Sequence, residues 1–379
     1  MSYVGRDKRP SMKGANIKTL EHNSYSMTRP TPRGFTEKEM DYYSRQMVLK
    51  EVGLDGQRRL RESKVCVVGA GGLGSPILTQ LASMGVGTLR VVDRDIVELS
   101  NLQRQHLYGV HVIGVPKVEA AEMRLRQINP FIDVEPVPLS VTPGNAERII
   151  SGADVVVDAL DSMRARYALN RATQRLGIPF VHGAVIMQVG NATTIIPGET
   201  ACLECFQGGI DDAGLPSCAV MGVHPAVIGL IASVQVSETV KLLLGEKPVL
   251  ANRLLFADLS DLSLEKITLA KVESCPVCGS SPRGEPTPID HVSPEEICGR
   301  EGRRVFVFSP EEDQGLDMED VNRRLEENGY ELTVRARMGT TFTRGRVKGS
   351  VLSSGVTIIE GLDDEEKTTR LRDVLTKIC

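Results

Sequence analysis

The chain has 379 residues, of which 41% are apolar and 25% charged, with a formal net charge of -4. That is enough for one large domain plus a smaller one, and the charge balance gives no footing for a nucleic-acid polyanion or an anionic membrane. No apolar run is expected to span a bilayer, and the first thirty residues lack the basic-then-apolar layout of a secretory signal. The expected location is the cytoplasm, where thiols stay reduced. The eight cysteines therefore read as metal ligands, reactive thiols or core fillers before disulfides.

Residues 1–35 are polar and basic, interrupted by Pro30 and Pro32, and read as a disordered tail. Order is expected from a capping box of Thr36 and Glu39, followed by a helical face of Met40, Tyr43, Met47 and Val48. From Lys64 short apolar strands alternate with helices. VCVVGA runs into a helix near Ser75, TLRVVD is a second strand, Pro116 opens a helix reaching Ile128, and DVVVDA is a later strand. This alternation predicts an α/β, Rossmann-like, mostly parallel sheet with helices on both faces.

From Ile178 to about Leu269 come GNATTIIP, a long apolar helix from Pro225 to Leu244, and RLLFADLS, with strands expected to be short and antiparallel. The Ser-, Pro- and Gly-rich stretch 280–288 reads as a linker closing a domain that spans 36–279. Beyond it, 289–379 reads as a small α+β domain: RRVFVFS, a helix from Met318 to Glu327, YELTVRA, a glycine-punctuated region, GVTIIEG and a terminal helix.

In VCVVGAGGLGS, Gly69, Gly71 and Gly74 have GxGxxG spacing between a strand and a helix, and Asp93 closes the next strand. Such glycines tighten the turn and let phosphates reach backbone N–H groups at a helix N-terminus, while the acid can accept from a ribose hydroxyl. The motif alone implies an adenosine-containing ligand and would suit a dinucleotide oxidoreductase as well as an ATP enzyme. The residues beyond the second strand favour ATP. Asp95, Asn101, Arg104 and Gln105 crowd the loop after Asp93, and Lys117 opens the next helix. Hydride transfer needs no such fixed cations, whereas departure of pyrophosphate does. Asp161, just past DVVVDA, is placed to hold Mg²⁺ against phosphate oxygens.

In order, YYSRQ, VVGAGGLGS, VVDRDIVELSNLQRQ, GVPKVEAA, DVVVDALD, ACLEC, SCAVMGVHPAVIG and CPVCG make the chain from about Tyr43 to Cys278 resemble the ThiF/MoeB/HesA family, relatives of ubiquitin-activating enzymes. The resemblance implies Mg-ATP-dependent attack on the α-phosphate by the C-terminal glycine carboxylate of a small ubiquitin-like or sulfur-carrier protein ending in Gly-Gly. The products are an acyl-adenylate and pyrophosphate. It further implies that Asp93 contacts ribose, that Arg104 and Lys117 contact phosphates, and that Asp161 organises Mg²⁺. Arg45 would reach across a homodimer to the neighbour's ATP. One position departs from the pattern: the family usually follows the acid with Asn, and here Ser162 stands there.

The pairs Cys202/Cys205 and Cys275/Cys278 supply four thiolates, the donor set of a closed, structural Zn²⁺ site; redox dithiols are the alternative. Cys218 lies in a Gly- and Pro-bearing loop before the long helix. In some relatives the matching thiol accepts the activated acyl group or sulfur, and in others it is dispensable; covalent acceptor and spectator both remain open. Cys66 reads as core, and His182 as a packing or hydrogen-bonding residue. Cys298 opens CGREGRR, whose spacing does not fit the loop of a rhodanese sulfurtransferase. Three other readings stand beside adenylation of a carrier protein. One is adenylation of a tRNA base, whose enzymes typically lack zinc knuckles; another is an NAD-dependent dehydrogenase. The third is a non-catalytic subunit that binds a ubiquitin-like protein. Which carrier and pathway are served, and what the last ninety residues do, the sequence leaves open.

Overall fold

The computed structural model describes residues 34–212, 221–289, 293–298, 304–362 and 365–376. The basic tail up to residue 33, the Cys218 loop and Cys379 lie outside them, and the Cys298 side chain is likewise not described. Residues up to Tyr42 form one unit and Tyr43 onward a second.

In the first unit, the expected capping box is present. The Thr36 Oγ1 accepts from the Glu39 N–H at 3.2 Å, and the Glu39 carboxylate accepts from the Thr36 N–H at 2.7 Å. The helix it starts, α1 (Glu37–Tyr42), is shorter than the periodicity predicts. The expected single helical face is corrected here. A separate short helix, α2 (Ser44–Met47), comes next, and Val48 at its end is 80% exposed.

In the second unit, α3 (Gly53–Glu62) precedes β1 (Lys64–Val68), α4 (Gly74–Met84) and β2 (Thr88–Val92). Then come α5 (Lys117–Ile128), β3 (Asp133–Val137), α6 (Ala146–Ile150), β4 (Val155–Asp158) and α7 (Met163–Leu176). β5 (Phe180–Ile186), β6 (Val189–Ile195), the short α8 (Leu203–Gln207), α9 (Pro225–Leu244), β7 (Arg253–Asp258) and β8 (Ser263–Thr268) complete an eight-stranded sheet. Its order is β3-β2-β1-β4-β5-β6-β7-β8. The first five strands are parallel, and β5 to β8 pair antiparallel. Burial on both faces explains why β1 and β4 read as continuous apolar runs. β3 carries Pro136 and lies at the sheet edge, where proline's missing N–H costs no ladder bond.

The helix α9 corrects one expectation: among the described residues it alone is long and apolar enough, by length and composition, to cross a membrane. Its packing accounts for that composition. It lies against β4, β5 and β6 and against α3 and α4, so apolar residues are wanted nearly all round. Its buried Glu238 is fully engaged, accepting from the N–H of Leu250 at 2.7 Å and from Thr194 Oγ1 at 3.1 Å and pairing with Lys241.

After β8 the chain runs through 280–288, where Thr287 is tied to Arg171 and Glu204. A second sheet is formed by β9 (Glu295–Cys298), β10 (Arg304–Phe308), β11 (Glu331–Arg335), β12 (Gly339–Arg344), β13 (Val347–Leu352) and β14 (Thr357–Glu360). Its order is β11-β12-β13-β14-β10-β9 and every pairing is antiparallel. α10 (Met318–Glu327) and α11 (Glu365–Thr376) accompany it. Leu352 of β13 and Val356, just ahead of β14, join the apolar cluster containing Val92 of β2 and Leu139, just past β3.

Candidate active site

The glycine turn between β1 and α4 is built from two forced approaches and one opening. A Cβ on Gly69, at φ +100°, would meet the Ala159 carbonyl oxygen at 2.4 Å, and one on Gly74 would meet the Gly69 carbonyl oxygen at 1.9 Å. Only glycine fits at either position. At Gly71 a Cβ would meet nothing nearer than Gln105 Nε2 at 3.7 Å. The middle glycine therefore has only Gln105 against it, three residues ahead of α4, where a ligand's phosphates can approach backbone N–H groups. The buried Gln105 beside it has an Oε1 without a hydrogen-bond partner, a polar atom left for a ligand to engage.

Asp93, at the end of β2, accepts from the Ala70 N–H at 2.7 Å and from the Asp95 N–H at 2.8 Å. These bonds fix its carboxylate beside the glycine turn. Across from it, Lys117 is 6% exposed and donates to Asp95 Oδ2 at 2.7 Å. Burial would depress the Lys117 ammonium, but Asp93 and Asp95 outweigh it and hold the pKa above the ordinary lysine value. Burial in turn raises the Asp93 carboxyl against the pull of Lys117. For Asp95 burial acts the same way, yet Lys117 and Arg94 win and its pKa falls. Lys117 thus stays charged with one of its three N–H donors spoken for.

The loop between these segments is locked over the glycines. Tyr108 donates to the Ala70 carbonyl at 2.8 Å, and Ser75 Oγ accepts from the Leu107 N–H at 2.8 Å. Arg104, half-buried, donates to the Ser100 carbonyl at 3.0 Å and lies alongside Gly72. Asn101 caps its own short 3₁₀ turn by accepting from the Glu98 N–H at 3.0 Å. Asp161 is exposed, three residues past the end of β4, and close enough to Lys117 and Arg94 to raise both their pKa values. Gly69, Gly71, Gly74, Asp93, Arg104, Gln105, Lys117 and Asp161 therefore gather at the carboxyl end of the parallel strands, the usual ligand side of such sheets. Arg45 is exposed, and no hydrogen bond or ion pair engages it among the described residues. Cys218 lies outside the described residues. A cleft of about 350 Å³ at the opposite strand ends, lined by Arg59, Ser63, Asp154 and Pro179, gathers no comparable chemistry.

Sequence reasoning missed the support behind Asp161. Asp158, fully buried at the end of β4, pairs with Arg166 at 3.2 Å and His182 Nδ1 at 2.6 Å, and accepts from the Leu160 N–H at 2.9 Å. The second anchor is Asp212. It accepts from Ser162 Oγ at 2.9 Å and from the N–H groups of Met163 and Arg164, so it caps α7 beside the acid. Ser162, standing where Asn is usual, is thus hydrogen-bonded to Asp212. Nothing around His182 in the sequence signals this network; only its contact with Asp158 in space reveals it.

The four cysteines meet as expected. Cys202 Sγ lies 3.7 Å from Cys275 Sγ, Cys205 Sγ lies 3.4 Å from Cys278 Sγ, and all four sulfurs are within 4.8 Å of one another. Tetrahedral Zn–S bonds of about 2.3 Å require sulfurs about 3.8 Å apart, so the donor set and its spacing fit zinc. The clip ties the turn after β6 to the turn after β8. Cys66 is buried in β1, and burial pushes its thiol up to about 12, as befits a core residue.

With this geometry in place, comparison with known proteins is specific. The ThiF family profile matches residues 43–277. The SAMP-activating enzyme E1 of Haloferax volcanii is 43% identical over 255 residues, covering 67% of this chain and 94% of that protein. The sulfur carrier protein adenylyltransferase of Thermus thermophilus is 42% identical over 274 residues, covering 70% and 98%. Among solved structures, E. coli MccB with MccA-N7isoASN superposes with a TM-score of 0.56 at 21% identity, over 63% of this chain and 74% of MccB, a likeness of fold. The chain belongs to the ThiF family.

Proposed function

We propose that this chain is an ATP-dependent adenylyltransferase that activates the C-terminal glycine carboxylate of a small ubiquitin-like or sulfur-carrier protein. The carboxylate oxygen attacks the α-phosphorus, the bond to the bridging oxygen of pyrophosphate breaks, and a carrier acyl-adenylate remains. The observation that carries this reading is the buried, charged Lys117 held by Asp95 across from the opening at Gly71. A fixed cation near the glycine turn stabilises negative charge as pyrophosphate forms, and hydride transfer has no use for it.

In this proposal the N–H groups around Gly71 and the start of α4 receive the phosphates, Gly69 and Gly74 keep the turn tight, and Asp93 accepts from ribose. Lys117 and Arg104 neutralise the leaving group, while Asn101 and Gln105 shape the wall. Asp161 would hold Mg²⁺, which supplies charge neutralisation across the phosphates. Arg45 would act in the site of a second copy, within a homodimer. Its exposed, unengaged side chain supports this. Residues 36–279 would be the catalytic domain and 289–379 an appended one. The four-cysteine clip would hold a structural Zn²⁺, which needs thiols kept reduced and so suits the cytoplasm. Cys218 would be the acceptor if activation proceeds to a covalent step.

Incubation with Mg-ATP and a Gly-Gly-terminated carrier, followed by mass spectrometry, should find AMP joined to the carrier's last glycine. A carrier that stays unmodified, with AMP appearing instead on a tRNA base, would replace the reading with its nearest competitor.

A further inference from the structure

The antiparallel sheet beyond residue 289 grips the very segments that carry the site's charges. The buried Glu119, in the first turn of α5, lies two residues past Lys117. Its two carboxylate oxygens accept from the backbone N–H groups of Arg337 at 3.1 Å and Met338 at 2.7 Å, in the connection between β11 and β12. Thr341 Oγ1 on β12 donates to the Gly114 carbonyl at 2.7 Å, just ahead of α5. The fit between these contacts is tight. A Cβ on Gly339 would meet Pro116 Cγ at 2.8 Å, and one on Gly114 would meet Val334 at 2.6 Å. The stretch 114–119, with Lys117 inside it, is therefore held from both ends by a single β-hairpin. A second handle is Glu295 on β9, which pairs at 2.6 Å with Arg94, the residue between Asp93 and Asp95.

We propose that this sheet is a working part of the nucleotide site, coupled in free energy to ATP binding, with Glu119 as the positioning residue that transmits the coupling to Lys117. The proposal rests on the adenylyltransferase reading, because it takes ATP as the ligand of Lys117. Two features separate it from ordinary packing between domains. Glu119 is a buried carboxylate spent on N–H groups of another sheet; packing alone would be served by an apolar residue at lower desolvation cost. Both polar handles also fall on the two short segments flanking the ligand, and a Lys117 shifted by an ångström would lose much of its effect on phosphate charge.

Coupling is reciprocal: if docking of the sheet orders Lys117 for ATP, ATP must tighten the docking by the same factor. The test uses the full-length protein. Calorimetric titration with Mg-ATP, without carrier, should give an affinity that falls about tenfold in Glu119→Ala, within the usual range of coupling between sites. Glu119→Gln, which keeps one acceptor oxygen but turns its amide NH2 toward the other backbone N–H, should recover only part of it. With carrier present, KM for ATP should rise and kcat at saturating ATP should fall as well, because Lys117 acts on charge that develops as pyrophosphate leaves. Hydrogen exchange at the amides of Arg337 and Met338 should slow on adding Mg-ATP to the parent protein by more than at other amides of the same sheet, a local response that general stabilisation by a ligand would not give. Parent protein that binds ATP with those amides unchanged, and Glu119→Ala with parental affinity, would overturn the coupling while leaving the enzyme reading intact. Parent protein that binds no ATP would overturn both. If Glu119→Ala is misfolded by its melting profile, Thr341→Val and Glu295→Ala take its place under the same criteria, since each removes one handle.

Discussion

The two ends of the main sheet assemble residues from afar in different ways. At the proposed nucleotide end, β1, β2 and β4 deliver Gly71, Asp93 and Asp161 to one place because parallel strands joined by crossovers bring all their carboxyl ends to the same side. At the other end, β6 and β8 are antiparallel-sheet neighbours of β7, and the Cys202/Cys205 and Cys275/Cys278 turns meet across it through sulfur. The first site exists once the topology exists; the second completes the topology. Function should therefore be separable from stability at the nucleotide end and inseparable from it at the cysteine clip.

The sharpest way to break that contrast is Asp161→Ala. Exposed and outside any strand, it should leave the melting profile within about 0.5 kcal/mol of the parent. Pyrophosphate release should fall on the order of 10²–10³-fold, as for the loss of one transition-state charge partner. Unchanged turnover would remove Asp161 from the site. Next comes the clip. Cys275→Ser, or a chelator strong enough to strip the proposed Zn²⁺, should cost several kcal/mol and lower the melting temperature, with activity lost only as the protein unfolds. Activity lost from a fully folded, zinc-free protein would instead give the cysteines a chemical role.

The glycines sharpen the comparison within one turn. Gly74→Ala pushes a methyl to 1.9 Å from the Gly69 carbonyl oxygen and should destabilise by roughly 1–3 kcal/mol. Gly71→Ala, whose methyl meets only a side-chain amide at 3.7 Å, should fold normally and lose ATP affinity. Equal melting curves for the two variants would contradict the division into closing and opening glycines. The smallest effect concerns Cys66. With its thiol buried and pushed up to about 12, it should resist alkylation in the native protein at neutral pH and react only on unfolding.

Legibility in the sequence divides along the same line. The strand–turn–helix around Gly69, Asp93 at the end of β2, the helix from Pro225 to Leu244 and the meeting of the four cysteines all rest on local spacing or on thiol chemistry, and all are present. β3 escapes sequence reading because Pro136 and a short apolar run disguise an edge strand. The hairpin of β12 and β13 escapes it because its glycines read as punctuation, although Gly339 and Gly349 are there for close approach to Pro116 and Phe342. The Asp158–Arg166–His182 network, Asp212 capping α7 and Glu119 reaching the second sheet carry no local signature. Each depends on a partner brought near only by folding.

Adenylation of a carrier is read out by ATP–pyrophosphate exchange, measured with and without small proteins ending in Gly-Gly from the same organism. Exchange should appear only when one such carrier is present and disappear when its terminal glycine is removed. No exchange with any carrier, from folded protein that binds ATP, would contradict it.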